Sequence, residues 1–397
     1  MYLFIEPHET LLFRSGRPFN AGEVNFAESL FPPTPETLQG SLRELIARHW
    51  DPRKSLPELL RDPALTALIG NQTGYGRLRI RLIALARRQK APNGAQRFEL
   101  LYPMPAHLLR APLQPDPSPK RLLRLKPASP AGVWTNLPQG QQPLYPEGQE
   151  QAQPLGKGSK LQGWLTAEGL EAALRSNAEM SETMIISNSE IYEEEPRTGI
   201  ARQERTRTTE EGMLYTIYTV RLRPSYGFLV DLRLAQTADP LSDQLLPDEQ
   251  TASLLRLPAP PTHFAHTLGG ESRPVTVWLI DPQATPVRAA APQTPDHLSG
   301  QRLLLYLATP AIFRKGWQPE RWPADLGAPI AAAISGYQWI GGWQMNPSHH
   351  GGQSKTARRC VPAGSIYFFD KKTDRDLYQL TDIGKEIGYG MILKGAW

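Results

Sequence analysis

Apolar and polar residues alternate along this chain with two periods, and each change of period marks an element. Tyr2–Glu6 is a short apolar strand. From Thr34 the spacing becomes helical: Leu38, Leu42, Leu45, Ile46 and His49 share one face, Thr34 is placed to cap, and Pro35 stands at the first helical position. Gly40 interrupts that helix where alanine is about 1 kcal/mol better, which points to close approach by a packed element or a phosphate, and Arg43 follows nearly one turn on. Residues 77–86, GRLRIRLIAL, predict a strand with one face in the core and an arginine-rich face outside, a platform that suits RNA.

Farther along, Pro92-Asn93-Gly94 marks a turn before the extended run RFELLYPMP. From Pro103 to Pro154 prolines are too dense for long regular elements, and the stretch reads as an insertion with little core of its own. Thr166 caps a short helix through Leu174. Residues 193–211 are charged and lie before the alternating run MLYTIYTVRLR, so they read as a protruding hairpin whose Arg197, Arg202, Arg205 and Arg207 meet something acidic. The alternative is a solvated loop, since Glu193–Glu195 and Glu210–Glu211 nearly cancel the charge. PDEQTASLLRL predicts a helix; HTLGGESRPVTVWLI and QRLLLYLATPAIF predict strands.

The stretch from Gly336 to Phe369 interleaves three kinds of side chain. Trp339 and Trp343 offer stacking faces, Gly341-Gly342 and Gly351-Gly352 permit close backbone approach, and Lys355, Arg358 and Arg359 supply positive charge. These are the requirements of a loop holding a single-stranded nucleic acid. The competing account puts both tryptophans in a core and the glycines in turns. Strand chemistry resumes from Val361 to Phe369.

At 397 residues the chain is expected to form two domains. No run of about eighteen apolar residues occurs, and MYLFIEPHET lacks the basic head and apolar body of a signal peptide, so a soluble, cytoplasmic protein is expected. The single cysteine, Cys360, excludes an intrachain disulfide and a cysteine-rich zinc site. The net charge of +5 is unevenly spread: residues 1–130 hold 19 basic and 11 acidic side chains, 131–260 hold 11 and 18, and 261–397 hold 14 and 10. Basic ends and an acidic middle fit a nucleic-acid face beside a protein-docking face, although solubility alone accounts for the charge equally well.

Taken in order, FRSGRPF, FPPTPETLQGSLR, LGGESRPV, LATPAIFRKGW and GGWQM followed by VPAGSIYFF resemble the third-subunit family of Cmr, the type III-B CRISPR-Cas effector complex, within the Cas five group of RAMP proteins. The resemblance runs from residue 2 to about 397. It implies an α+β fold of two ferredoxin-like, RRM-related domains with a β-hairpin thumb and glycine-rich loops. The first would be 1–212, with the Pro-rich insertion at about 103–160 and the thumb at about 193–212; the second would be 213–397. It further implies a non-catalytic subunit without cofactor or metal. Such a subunit grips the repeat-derived 5′ handle of the CRISPR RNA and docks on the large polymerase/cyclase-like subunit and the backbone RAMP subunits.

Carried onto this sequence, the resemblance places RNA contacts at Thr34–Arg43, at the thumb Arg197–Tyr215, and at the glycine-rich segments around Gly342 and at Gly388–Gly395. With the basic residues of the N-terminal turn, the expected RNA-binding set is Arg14, Arg17, Gly40, Arg43, Arg197, Arg202, Arg205, Arg207, Trp343, Lys355, Arg358 and Arg359. One departure is that His8 and Glu9 stand where the family pattern has an Asp before LLF. Two rivals remain: the equivalent subunit of a type III-A complex, and a metal-independent RAMP endoribonuclease using His349 or His350 as general acid or base. No GxxxxGK[ST] phosphate loop is present.

Overall fold

The strand Leu303–Leu307 reads LLLYL and is buried at every position, so both of its faces must be covered. In the computed structural model the two sides belong to different cores. Leu304 and Tyr306 join Phe4, Phe98, Leu100 and Leu229, whereas Leu303, Leu305 and Leu307 join Val361, Tyr367, Phe369 and Ile392. The structure describes residues 1–16, 26–71, 74–90, 96–110, 122–129, 134–147, 159–175, 180–202, 206, 208–239, 244–281, 287–288, 302–344, 353–371 and 377–397.

The architecture is mixed α+β with strands predominating. A nine-stranded sheet contains the central strands Leu78–Lys90, Tyr226–Leu234, Tyr2–Pro7 and Arg273–Ile280, in that order. Alternation sends Leu3, Ile5, Phe228 and Val230 to one face and Phe4 and Leu229 to the other. The first face packs on helix α1 (Pro35–Trp50) through Leu38, Leu42, Leu45 and Ile46. The second meets a four-stranded sheet of Ala331–Ala333, Ile366–Phe368, Leu303–Leu307 and Ile392–Ala396. The boundary expected after residue 212 falls inside the strand Thr209–Leu222, and the large sheet draws strands from as far as Val287–Arg288.

Helix α1 starts as expected. Thr34 Oγ1 accepts from the Thr37 N–H at 3.3 Å, with Pro35 next in sequence and Arg48 and His49 in the last turn. Ser41 Oγ donates to the Thr267 carbonyl at 2.8 Å, tying the helix to the edge strand Thr262–Leu268. The single strand expected over residues 266–280 is instead two, because Gly269 turns the chain at φ 76°, where an added Cβ would lie 2.7 Å from the Leu12 carbonyl.

Among its described residues the Pro-rich region holds only short strands, Leu108–Arg110, Leu122–Pro127, Leu144–Pro146 and Ser159–Lys160, which form their own four-stranded sheet. It contributes more to the core than its composition promised, since Leu108 and Leu123 are buried and Tyr306 Oη donates to the Pro103 carbonyl at 2.7 Å. The short helix capped by Thr166 forms over Ala167–Leu174. Among the described residues no helix is long and apolar enough to cross a membrane.

Candidate nucleic-acid interface

Two segments over 300 residues apart in sequence touch backbone to backbone. The Gly16 N–H donates to the Trp339 carbonyl at 3.1 Å, and a Cβ on Gly16 would stand 2.6 Å from the Gly341 nitrogen. A Cβ on Gly341 would in turn stand 2.9 Å from Gly16 Cα. Only glycine on both sides allows this approach. Exposed Arg14, in the turn before Gly16, is thereby brought near the Trp-Gly-rich stretch.

That stretch is a ribbon. Gln338–Ile340 pairs antiparallel with Arg358–Cys360, which sets Trp339 opposite Arg359. The Arg359 guanidinium lies 5.0 Å from the ring centres of both Tyr337 and Trp339, and the two rings stand 83° apart. Tyr337 is 59% exposed and Trp343 is 55% exposed, so neither serves as core. Trp343–Gln344 pairs with Gln353–Ser354, and the Lys355 N–H donates to the Gly342 carbonyl at 2.8 Å. Lys355 Nζ pairs with the Glu36 carboxylate in the first turn of α1. Arg14, Trp343, Lys355, Arg358 and Arg359 are thus collected with the start of α1, the arrangement of stacking faces and cations that a single strand needs.

Gly40 is exposed on α1, and among the described residues no atom lies within 4 Å of an added Cβ. Of the two occupants expected there, no packed element of the described residues is one. Arg43 corrects the expected site. Its Nη2 donates to the Gly70 carbonyl at 2.8 Å, burial lowers its pKa, and its Nε is buried without a hydrogen-bond partner among the described residues. Arg43 fastens α1 to the C-terminal end of the helix Pro63–Ile69 and faces inward.

The arginine-rich face of the strand Leu78–Lys90 is likewise not an open platform. Arg79 is 6% exposed and donates to the carbonyls of Gly76, Leu78 and Asp239. Arg81 stacks 3.6 Å from the centre of the Tyr378 ring, Arg87 pairs with Glu99 at 2.6 Å, and Arg88 pairs with Glu6 at 2.5 Å. The segment from Gly388 to Gly395 is also internal. Gly390, at φ 66°, has Leu380 O 2.2 Å from an added Cβ, and Gly395 has Leu174 O at 2.4 Å. Its glycines serve packing.

The charged hairpin forms from Tyr192–Arg202 and Thr209–Leu222, and Phe26–Glu28 adds to it in parallel. Arg197 is exposed and lies 3.9 Å from Glu195, whose carboxylate also pairs with Arg221. Register shifts between Ile200 and Arg202, and Arg202 sits opposite Thr209, so its strand position is fixed. Its side chain, together with Arg17, Arg205, Arg207, His349 and His350, lies outside the described residues. Near the hairpin's middle, Gly199 faces Tyr215, whose ring lies 2.4 Å from where a Cβ would be.

Cys360 is buried and its thiol is pushed up to about 12, which leaves it neutral and unreactive at physiological pH. Among the described residues, no three His, Cys, Asp or Glu side chains gather as a metal site. Sequence reasoning missed Glu36 and Tyr337. The first looked like an ordinary first-turn acid, and the second gained meaning only when Arg359 was placed over it.

A family model described as "CRISPR-associated protein (Cas_Cmr3)" matches residues 3–397. No curated protein matches. Among solved structures, a chain of the type III-B Cmr-beta complex bound to cognate target RNA and AMPPnP shares 15% identity at a TM-score of 0.46, covering 93% of this chain and 86% of that one. A chain of the same complex bound to cognate target RNA gives 14% and 0.45 with the same coverage. A chain of the Csm3-Csm4 subcomplex of the type III-A interference complex gives 10% and 0.37, covering 99% and 98%.

Proposed function

The chain belongs to the Cas_Cmr3 family of CRISPR-associated proteins, and on that premise we propose that it is a non-catalytic RNA-binding subunit of a type III-B CRISPR effector complex. In this reading it acts in the cytoplasm, holds the repeat-derived 5′ handle of the CRISPR RNA, and docks on the large polymerase/cyclase-like subunit and the backbone RAMP subunits. Its two halves are then ferredoxin-like domains, and the hairpin Tyr192–Leu222 is the thumb.

The observation that carries the reading is the Gly16–Gly341 approach. It gathers exposed Arg14, the Tyr337–Trp339–Arg359 cluster and the start of α1 from three distant parts of the chain. The test is RNA affinity against salt. Single-strand binding through phosphates gives a log-log slope of about −0.7 per phosphate neutralised, so a steep negative slope is expected and a flat one would assign the basic surface to protein contacts. The same preparation is expected to leave repeat RNA uncut with or without divalent metal. Cleavage that vanishes in a His349→Ala/His350→Ala variant would make the protein an enzyme instead.

The thumb gives a second prediction. Arg205→Ala/Arg207→Ala is expected to weaken guide-RNA binding while leaving the melting temperature nearly unchanged. Surface substitutions shift folding by no more than roughly 0.5 kcal/mol, whereas a charge-assisted phosphate contact is worth about 1.5–3 kcal/mol. A lowered melting temperature would mark the segment as structural, and unchanged affinity would leave these arginines balancing the neighbouring glutamates.

A further inference from the structure

We propose that the Glu36 carboxylate holds, in the RNA-free chain, the place on Lys355 that an RNA phosphodiester takes on binding, so that the two anions exchange. The inference rests on the RNA-binding reading above and concerns how that site is kept before its ligand arrives.

The pair spans 319 positions in sequence and ties the Trp-Gly-rich segment to helix α1. It closes over bare backbone: a Cβ on Gly342 would lie 3.3 Å from Glu36 Oε2 and 3.2 Å from Lys355 Cδ. The Lys355 side chain is 40% and the Glu36 side chain 26% exposed, so solvent, and with it an incoming strand, reaches both. An ammonium is a compact point charge without a fixed fork of donors, and it donates to a carboxylate or a phosphate oxygen alike.

The surroundings favour an anion in that place. The Tyr75 phenol, raised chiefly by burial, feels the Glu36 and Glu386 carboxylates on one side of the balance and the Arg358 and Arg43 guanidinium groups on the other. Lys355 therefore adds a third cation to a neighbourhood whose local negative charge is Glu36 and Glu386. Without Glu36, three cations would share the single carboxylate of Glu386 and repel one another; with Glu36 in place the excess falls to one positive charge until a stronger polyanion arrives. A phosphate strand brings several charges at once and releases its own counterions, which Glu36 cannot do.

The test is fluorescence anisotropy with a labelled single-stranded oligouridylate, comparing the wild type, Glu36→Gln, Lys355→Ala and the double variant across a salt series. Glu36→Gln is expected to tighten binding by roughly two- to five-fold, the factor that a partly exposed ion pair represents. Its salt slope is expected to steepen by up to about 0.7 as Lys355 becomes free to contact phosphate. In the Lys355→Ala background the gain should vanish. No gain from Glu36→Gln overturns the exchange. A gain that persists without Lys355 overturns it as well, because it would reflect only the removal of a negative charge. A wild type that binds no RNA at any salt sinks the RNA-binding reading itself. Equal melting temperatures of wild type and Glu36→Gln tie the affinity change to the site and not to folding.

Discussion

Acidification is expected to destabilise the folded chain steeply, by about 1.4 kcal/mol per pH unit through His107 alone. That side chain is fully buried, its Nε2 donates to the Ala173 carbonyl at 3.2 Å, and its Nδ1 has no hydrogen-bond partner among the described residues. Burial, with the nearby Arg124 charge, lowers its pKa from 6.5 to about 3. The unfolded imidazole takes up a proton near pH 6.5 and the folded one only near 3, so the unfolded state binds more protons throughout that window. The contribution is therefore complete above about pH 6.5 and is lost as pH falls towards 3, reaching about 2 kcal/mol by pH 5. Denaturant titrations of the wild type and His107→Gln at several pH values check this. The variant should lose one proton's worth of slope below pH 6.5, and an unchanged slope would show that other groups carry the acid sensitivity.

Gly341→Val is expected to open the contact between the N-terminal turn and the ribbon, and to cost between about ten- and a hundred-fold in RNA affinity. A Cβ there meets the Gly16 Cα at 2.9 Å, and that neighbour is backbone that cannot rotate aside. The two segments must separate, which moves Arg14 away from Trp339 and Arg359. The affinity figure corresponds to one charge-assisted contact of about 1.5–3 kcal/mol. Folding should suffer less, because Gly16 and Gly341 are only partly buried, whereas overpacking a core costs typically 1–3 kcal/mol. Measuring both quantities on one preparation decides the matter. Affinity that survives while stability drops would make the glycine pair a packing device alone.

Elements whose signal is local were legible in the sequence. Thr34-Pro35 and the apolar spacing after it fixed the start and buried face of α1, and the charged run flanked by alternating segments predicted the hairpin. The exposure of Trp343, against the alternative of a core residue, followed from its glycine and cation neighbours. What failed was placement that depends on distant partners. The arginines of Leu78–Lys90 look like an outer face, yet Tyr378, Glu99 and Glu6 use them internally. Arg43 has a helical position that suits phosphate and instead meets Gly70. A glycine has the same letter whether it lies open like Gly40 or against a carbonyl like Gly390, and only the fold separates the two. The Pro-rich region misled in the other direction, since proline density limits strand length without preventing single leucines from reaching a core.

The doubly covered strand LLLYL has a consequence for the chain as it is made. Its two partners in the sheet, Ile366–Phe368 and Ile392–Ala396, emerge about 60 to 90 residues later. At roughly 5–20 residues per second, that leaves several seconds during synthesis in which five consecutive apolar residues have no strand to pair with. The first sheet is better placed, because Tyr226–Leu234 and Arg273–Ile280 are complete before Leu303 appears, and the face bearing Phe4 and Leu229 is then ready to receive Leu304 and Tyr306. The earlier half thus offers a template that shelters an apolar, pairing-prone segment of the later half, and a slowly assembling first sheet would be felt as insolubility of the second.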